Sequence, residues 1–355
     1  MSTLRGRTAV LLGFLWFTAL CSAFGPVRTR AEEPVRIALM LAKTGIASED
    51  NRPAVRAAEL AVGEINRAGG VLGRPLELTV IDNRSTPLGS KIAADQAVAS
   101  GFAGVIGPLW SSHALSTAAV LQEARIPMIT PTATKPEITW IGDCIFRVCM
   151  SDAFQGRVMA RFAYEELGAR TALVLKNVNE AYSITLADMF KEAFKEAGGI
   201  VAWEGAYSGK AVNFERVLER VREIETDVLY IPGYARDSGL LIQQAAKMGI
   251  RSTFLGGDGW GESMRKYADE ALLGAYYTTH YHPDLPFENN RLLKRLYRER
   301  FGVERITDMR IPLTYDAVLL FADALRRAGG TESERVLDAL YRTRGFRGAT
   351  GTIEF

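Results

Sequence analysis

Three short segments of this chain gather the groups able to bind a small polar solute. Gly107-Pro108-Leu109-Trp110-Ser111-Ser112 follows a brief apolar run and opens a helical stretch. Serines in such a place cap free backbone N–H groups, and the same N–H groups attract a carboxylate or another anion. Thr130-Pro131-Thr132-Ala133-Thr134 also follows an apolar run and sets three hydroxyls around a proline, more than a turn requires. In Gly256-Gly257-Asp258-Gly259-Trp260-Gly261 a single acid stands among glycines, which are expected to leave Asp258 accessible. Plain capping serines and a solvated turn aspartate are the competing readings.

Catalytic chemistry finds little support. The chain has no G-x-S-x-G elbow, no phosphate-binding P-loop and no G-x-G-x-x-G opening a helix after a strand. Its three histidines are His113, His280 and His282. The last two point to opposite sides of an extended, proline-containing segment that reads as a surface linker, with no third residue at metal-site spacing. His113 reads as an exposed helix position. Neither an enzyme, a metal nor a cofactor is expected.

The elements that must carry these loops alternate. Runs at 35–41, 76–81, 104–106 and 128–130 read as strands, separated by helical patterns at 54–65, 88–100 and 112–124. After a break near Ser151 the alternation restarts, with strands at 172–176, 201–204, 228–232 and 253–256 and helices at 183–197, 214–224 and 237–248. Helices at 288–301, 312–328 and 333–342 close the chain. Repeated strand–helix units imply parallel sheets. Two such runs imply two lobes, and the three loops then fall at strand carboxyl ends, where open α/β sheets bind ligands.

The first 31 residues contain Arg5, Arg7, Arg28 and Arg30 and no acid, with an apolar run over 9–20. That is the pattern of a cleaved secretory signal, with small residues for cleavage around 21–23 or 29–31. Without it the chain has 39 basic and 41 acidic residues, which leaves no basic excess for nucleic acid. Cys144 and Cys149 would lie roughly 16 Å apart if an extended strand separates them, beyond disulfide reach, so two separate thiols are expected.

The loops and their order resemble the periplasmic leucine/isoleucine/valine-binding protein family, the type I solute-binding proteins of ABC transporters. The resemblance covers residues 35–355. It rests on Ala61-Val62-x-x-Ile65-Asn66-x-x-Gly69-Gly70, Val105-Ile106-Gly107, Met128-Ile129-Thr130-Pro131, Phe146-Arg147-Val148, Asp152-x-Phe154-Gln155-Gly156 and Gly256-Gly257-Asp258-Gly259. It implies an α/β fold of two doubly wound parallel-sheet lobes joined by hinge strands. Lobe I would be 32–151 plus 282–355, and lobe II 152–281. It implies no cofactor, a permease partner, a monomer and a periplasmic location.

Carried over residue by residue, the family's site falls on the loops already singled out. Ser111, with Trp110 and Ser112 beside it, matches the contact to a ligand carboxylate. Thr132, Ala133 and Thr134 match the segment that holds carboxylate and ammonium. Tyr182 and Tyr234 match aromatics of the second lobe that close over the ligand, and Asp258 stands where an acid pairs with the ammonium. The segment Thr44-Gly45-Ile46-Ala47-Ser48-Glu49-Asp50 lacks an expected aromatic, and Trp110 replaces a small residue, shrinking the pocket or adding a stacking surface. Ending at Phe355, the chain is expected to lack a last hinge crossing. The expected ligand is an amino acid, branched-chain or otherwise apolar; an aromatic acid, amide or urea-like solute is the alternative.

Overall fold

The structure is a computed structural model and describes residues 33–355; the expected signal segment lies outside them. Two five-stranded parallel sheets organise the chain. The first uses β1 (Val35–Leu41), β2 (Leu76–Asp82), β3 (Val105–Ile106), β4 (Met128–Thr130) and β5 (Ile145–Arg147) in the order β2-β1-β3-β4-β5. Ile37 through Met40 are fully buried, as expected of a parallel strand covered on both faces. Its helices are α1 (Ser48–Arg67), α2 (Pro87–Ser100) and α3 (Ser111–Glu123).

The second sheet follows α4 (Asp152–Arg161), a helix that the sequence pattern does not announce. It contains β6 (Thr171–Asn177), β7 (Ile200–Tyr207), β8 (Val228–Tyr230), β9 (Thr253–Gly256) and β10 (Tyr276–Tyr277), ordered β10-β9-β8-β6-β7. Between them run α5 (Ala181–Glu196), α6 (Glu215–Arg222), α7 (Ala235–Lys247) and the single turn α8 (Arg265–Ala268). Then come α9 (Glu288–Phe301), α10 (Arg310–Ala328), α11 (Ser333–Tyr341) and a small hairpin, β11 (Phe346–Arg347) and β12 (Thr352–Ile353). Helix α10 packs along α1 and against β3 and β4, so the C-terminal helices return to the first sheet. Cys144 and Cys149 are separate buried thiols.

Two expectations are corrected. His280 is not on a surface linker: it is buried and hydrogen-bonded to Asp258. His113 is buried too, in α3 beside Asn83, and burial pulls its imidazole down to about 4.

Candidate functional site

The first-lobe loops are stitched to each other before any ligand is considered. Gly107 leaves β3 at φ +98°, and a Cβ there would stand 2.1 Å from the Met40 carbonyl oxygen, so the position requires glycine. Thr130 donates to the Pro108 carbonyl at 2.6 Å, Thr132 donates to the Leu109 carbonyl at 2.9 Å, and Ser111 Oγ accepts from Lys135 N at 3.3 Å. Arg147 holds the carbonyls of Ala133 and Thr134, the latter at 2.8 Å. Much of the hydroxyl richness seen in sequence is therefore structural. The exception is Thr134, whose buried Oγ1 ties no other loop and acts on the Asp152 carboxyl instead. Neither serine caps α3: Trp110 is its N-cap residue and gives no side-chain cap.

Aromatic rings from both lobes meet in the cleft. The Trp110 indole stacks on Tyr234 with centroids 3.8 Å apart and planes 7° apart. Tyr234 stacks in turn on Tyr182 at 5.1 Å, and His113 lies behind Trp110 at 5.4 Å. Trp110 therefore points inward, with its buried Nε1 lacking a partner. Ser112 adds a second bond across the cleft, donating to Glu180 Oε2 at 2.9 Å. Burial pushes the Glu180 carboxyl up to about 7, an effect that the Ser112 bond opposes and nearby Asp237 reinforces.

The expectation that Asp258 is accessible is overturned, and the reason lies in its glycines. A Cβ on Gly257 would stand 2.4 Å from the Tyr182 hydroxyl, and one on Gly259 would stand 2.6 Å from the Gly233 carbonyl. The glycines allow close approach, and Asp258 is only 3% exposed. Its Oδ1 accepts from Gln155 Nε2 at 2.9 Å and its Oδ2 lies 3.1 Å from His280 Nε2. The same Gln155 Nε2 reaches Asp152 Oδ1 at 2.9 Å, while Thr278 donates to Gln155 Oε1. Tyr182 closes the group by accepting from Gly259 N at 2.9 Å.

Two buried carboxyls thus share one amide, and they titrate apart. Burial and the charge of Asp258 push Asp152 up to about 8, so it is neutral near pH 7. Burial acts on Asp258 as well, but the hydrogen bond and charge of His280, with bonds from Gln155 and Tyr182, outweigh it and hold Asp258 below the usual range. Asp152 Oδ2 and His280 Nδ1 are buried without partners. Sequence reasoning assigned no role to His280, Asp152, Gln155 or Glu180. Only the Asp152-x-x-Gln155 spacing, one helical turn on one face, hinted at a shared partner.

Two sheets with their carboxyl-end loops converging on a cleft, and polar and aromatic groups from both lining it, define a two-lobed solute-binding protein. Residues 34–355 match the family model described as periplasmic binding protein, and the chain belongs to that family, on its leucine/isoleucine/valine-binding branch. It is 30% identical over 346 residues to a leucine-, isoleucine-, valine-, threonine-, and alanine-binding protein of Pseudomonas aeruginosa, covering 96% of this chain and 90% of that one. The crystal structure of a leucine binding protein from Thermotoga maritima superposes with a TM-score of 0.86 at 32% identity, covering 90% of this chain and 91% of that one. A branched-chain amino acid transporter substrate binding protein from Streptococcus pneumoniae, in complex with isoleucine, gives 0.85 at 27% identity, covering 91% and 92%. These relatives are solute-binding proteins, not enzymes. No helix among the described residues is long and apolar enough to cross a membrane.

Proposed function

We propose that this protein captures an α-amino acid between its lobes outside the cytoplasm and presents the closed form to an ABC permease. One observation carries the reading. Asp152 and Asp258 are buried together, and among the described residues His280 is the one basic side chain hydrogen-bonded to the pair. A ligand ammonium beside them adds a counter-charge for ionised Asp258 and draws the neutral Asp152 carboxyl toward its ionised form. The ligand carboxylate then meets Thr134 Oγ1 and the start of α3 around Ser111 and Ser112, where backbone N–H groups point out of the helix. Thr132 and Ala133 shape that wall, while Trp110, Tyr182 and Tyr234 cover the ligand. Contacts to both lobes favour closure, because a ligand shifts the population toward the state it binds better.

In this reading the lobes are 32–151 with 282–355, and 152–281. The exported chain acts as a monomer after losing its N-terminal segment and needs no cofactor. The amino-acid ligand agrees with the names of the relatives. The Trp110–Tyr234 stack favours a second reading, a planar aromatic acid, amide or urea-like solute, because it offers an aromatic face. Calorimetric titration with amino acids and with the matching acids that lack the amino group separates the two. Binding only of the amino-free compounds would refute the first.

A further inference from the structure

The cleft holds two cavities of very different size. One, of about 60 Å³, lies beside Trp110 and Tyr234, and their 3.8 Å stack keeps it small. The other, of about 340 Å³, lies next to the Asp258 loop and reaches the size of small-molecule sites. Asp50 borders both. Room for a ligand side chain therefore lies on the side of the larger cavity.

The walls of that cavity are mixed: Pro53, Trp260, Tyr277 and Met309 give it apolar surface, while charged groups that include Asp50, Asp308 and Arg310 also line it. Arg310 begins α10, is 6% exposed, and donates through Nη1 to Asp308 Oδ1 at 3.2 Å. A guanidinium carries five N–H donors in a planar fork, and buried donors require acceptors. Asp308 is its one side-chain partner here, while the charges of Asp50 and Asp258 also act on it. No Arg310 nitrogen is buried without a partner, so its remaining N–H groups meet solvent in the cavity, and an alkyl side chain displacing that water would offer them no acceptor. A carbonyl oxygen would accept from them.

We propose that the bound amino acid has a side chain ending in a carbonyl oxygen, as carboxamide or carboxylate, which accepts from the Arg310 guanidinium. This rests on the amino-acid reading above. The experiment is calorimetric titration of the ligand-stripped protein with glutamine, asparagine, glutamate, aspartate, leucine and norvaline. At least one of the first four should bind tenfold or more tighter than either alkyl ligand; the amides and acids then distinguish carboxamide from carboxylate. Arg310→Met should weaken the preferred polar ligand roughly 30-fold or more while changing leucine less than threefold. Arg310→Lys, which keeps the charge beside Asp308 and loses the fork, should fall between. The wild-type rank order decides the matter even if a variant fails to fold. Leucine or norvaline as the tightest ligand overturns this inference and leaves the amino-acid reading standing. Failure of the four polar ligands to bind overturns this inference, while the amino-acid reading falls only if amino-free acids alone bind.

Discussion

Asp152→Asn and Asp258→Asn are the same chemical change in two carboxyls joined by one glutamine, and the structure predicts opposite outcomes near pH 7. Asp152 is already neutral there, raised to about 8 by burial and by Asp258. Asparagine keeps the oxygen that accepts from Gln155, so the ligand-free protein should change by less than about 1 kcal/mol. Asp258 is ionised and accepts from two sides. An asparagine there can keep its oxygen toward Gln155 only by turning its amide nitrogen toward His280 Nε2. The charge-assisted bond between the carboxylate and His280 is then lost, and a buried polar group left without its partner costs about 1–3 kcal/mol. The assay is urea unfolding of both variants and wild type without ligand. Asp258→Asn should lose at least about 2 kcal/mol. Equal midpoints for the two variants at pH 7 would sink the protonation assignment. The pH dependence has the same logic. A raised acid stabilises most below its unfolded value of 3.8, and that stability is lost progressively as pH rises from there to about 8, so Asp152→Asn should flatten the decline across that window.

Three further outcomes are expected. Gly107→Ala should destabilise by about 2–3 kcal/mol in the same unfolding assay, since its Cβ would collide with the Met40 carbonyl at a backbone angle suited to glycine. Glu180→Gln should raise thermal stability at pH 8 relative to wild type and hardly alter it at pH 5; the raised carboxyl loses its contribution between the ordinary 4.5 and about 7, and a flat difference in Tm across that window would refute the assignment. Trp110→Cys should enlarge the small cavity and change the rank order of ligands in a titration panel; an unchanged order would mean that the indole is only a wall.

The alternation of apolar runs and helical patterns made the two parallel sheets legible, since a strand buried on both faces, such as β1, stands out as a continuous apolar run. Helix α4 escaped because small and polar residues interrupt its apolar positions between the sheets. The loops at the strand ends were found by their hydroxyls and glycines, but the use of those groups was misjudged. Thr130 and Thr132 tie loop to loop, and the glycines around Asp258 admit Tyr182 and Gly233 rather than water. His280 went unrecognised because its meaning depends on Asp258, a neighbour in space from another loop. Arg310 likewise looked like an ordinary charged residue at a helix start. Single residues signal their local backbone in sequence; burial and partnership come from the fold.

The pairing of α1 with α10 bears on the order in which the molecule can assemble. The second sheet is made from one uninterrupted stretch of chain, β6 through β10, and is complete as soon as that stretch is available. The first sheet has all its strands early, yet α10, the helix that packs along α1 and against β3 and β4, comes from the other end of the polypeptide. In a chain delivered from its N-terminus, at a ribosome or through a membrane pore, the lobe that begins first is the one that finishes last. Until α10 arrives it shows an apolar face, the kind of surface on which nascent chains aggregate and which chaperones bind. The later-made lobe can already be folded beside it, and its sheet is then a rigid neighbour while the first lobe waits for its final helix.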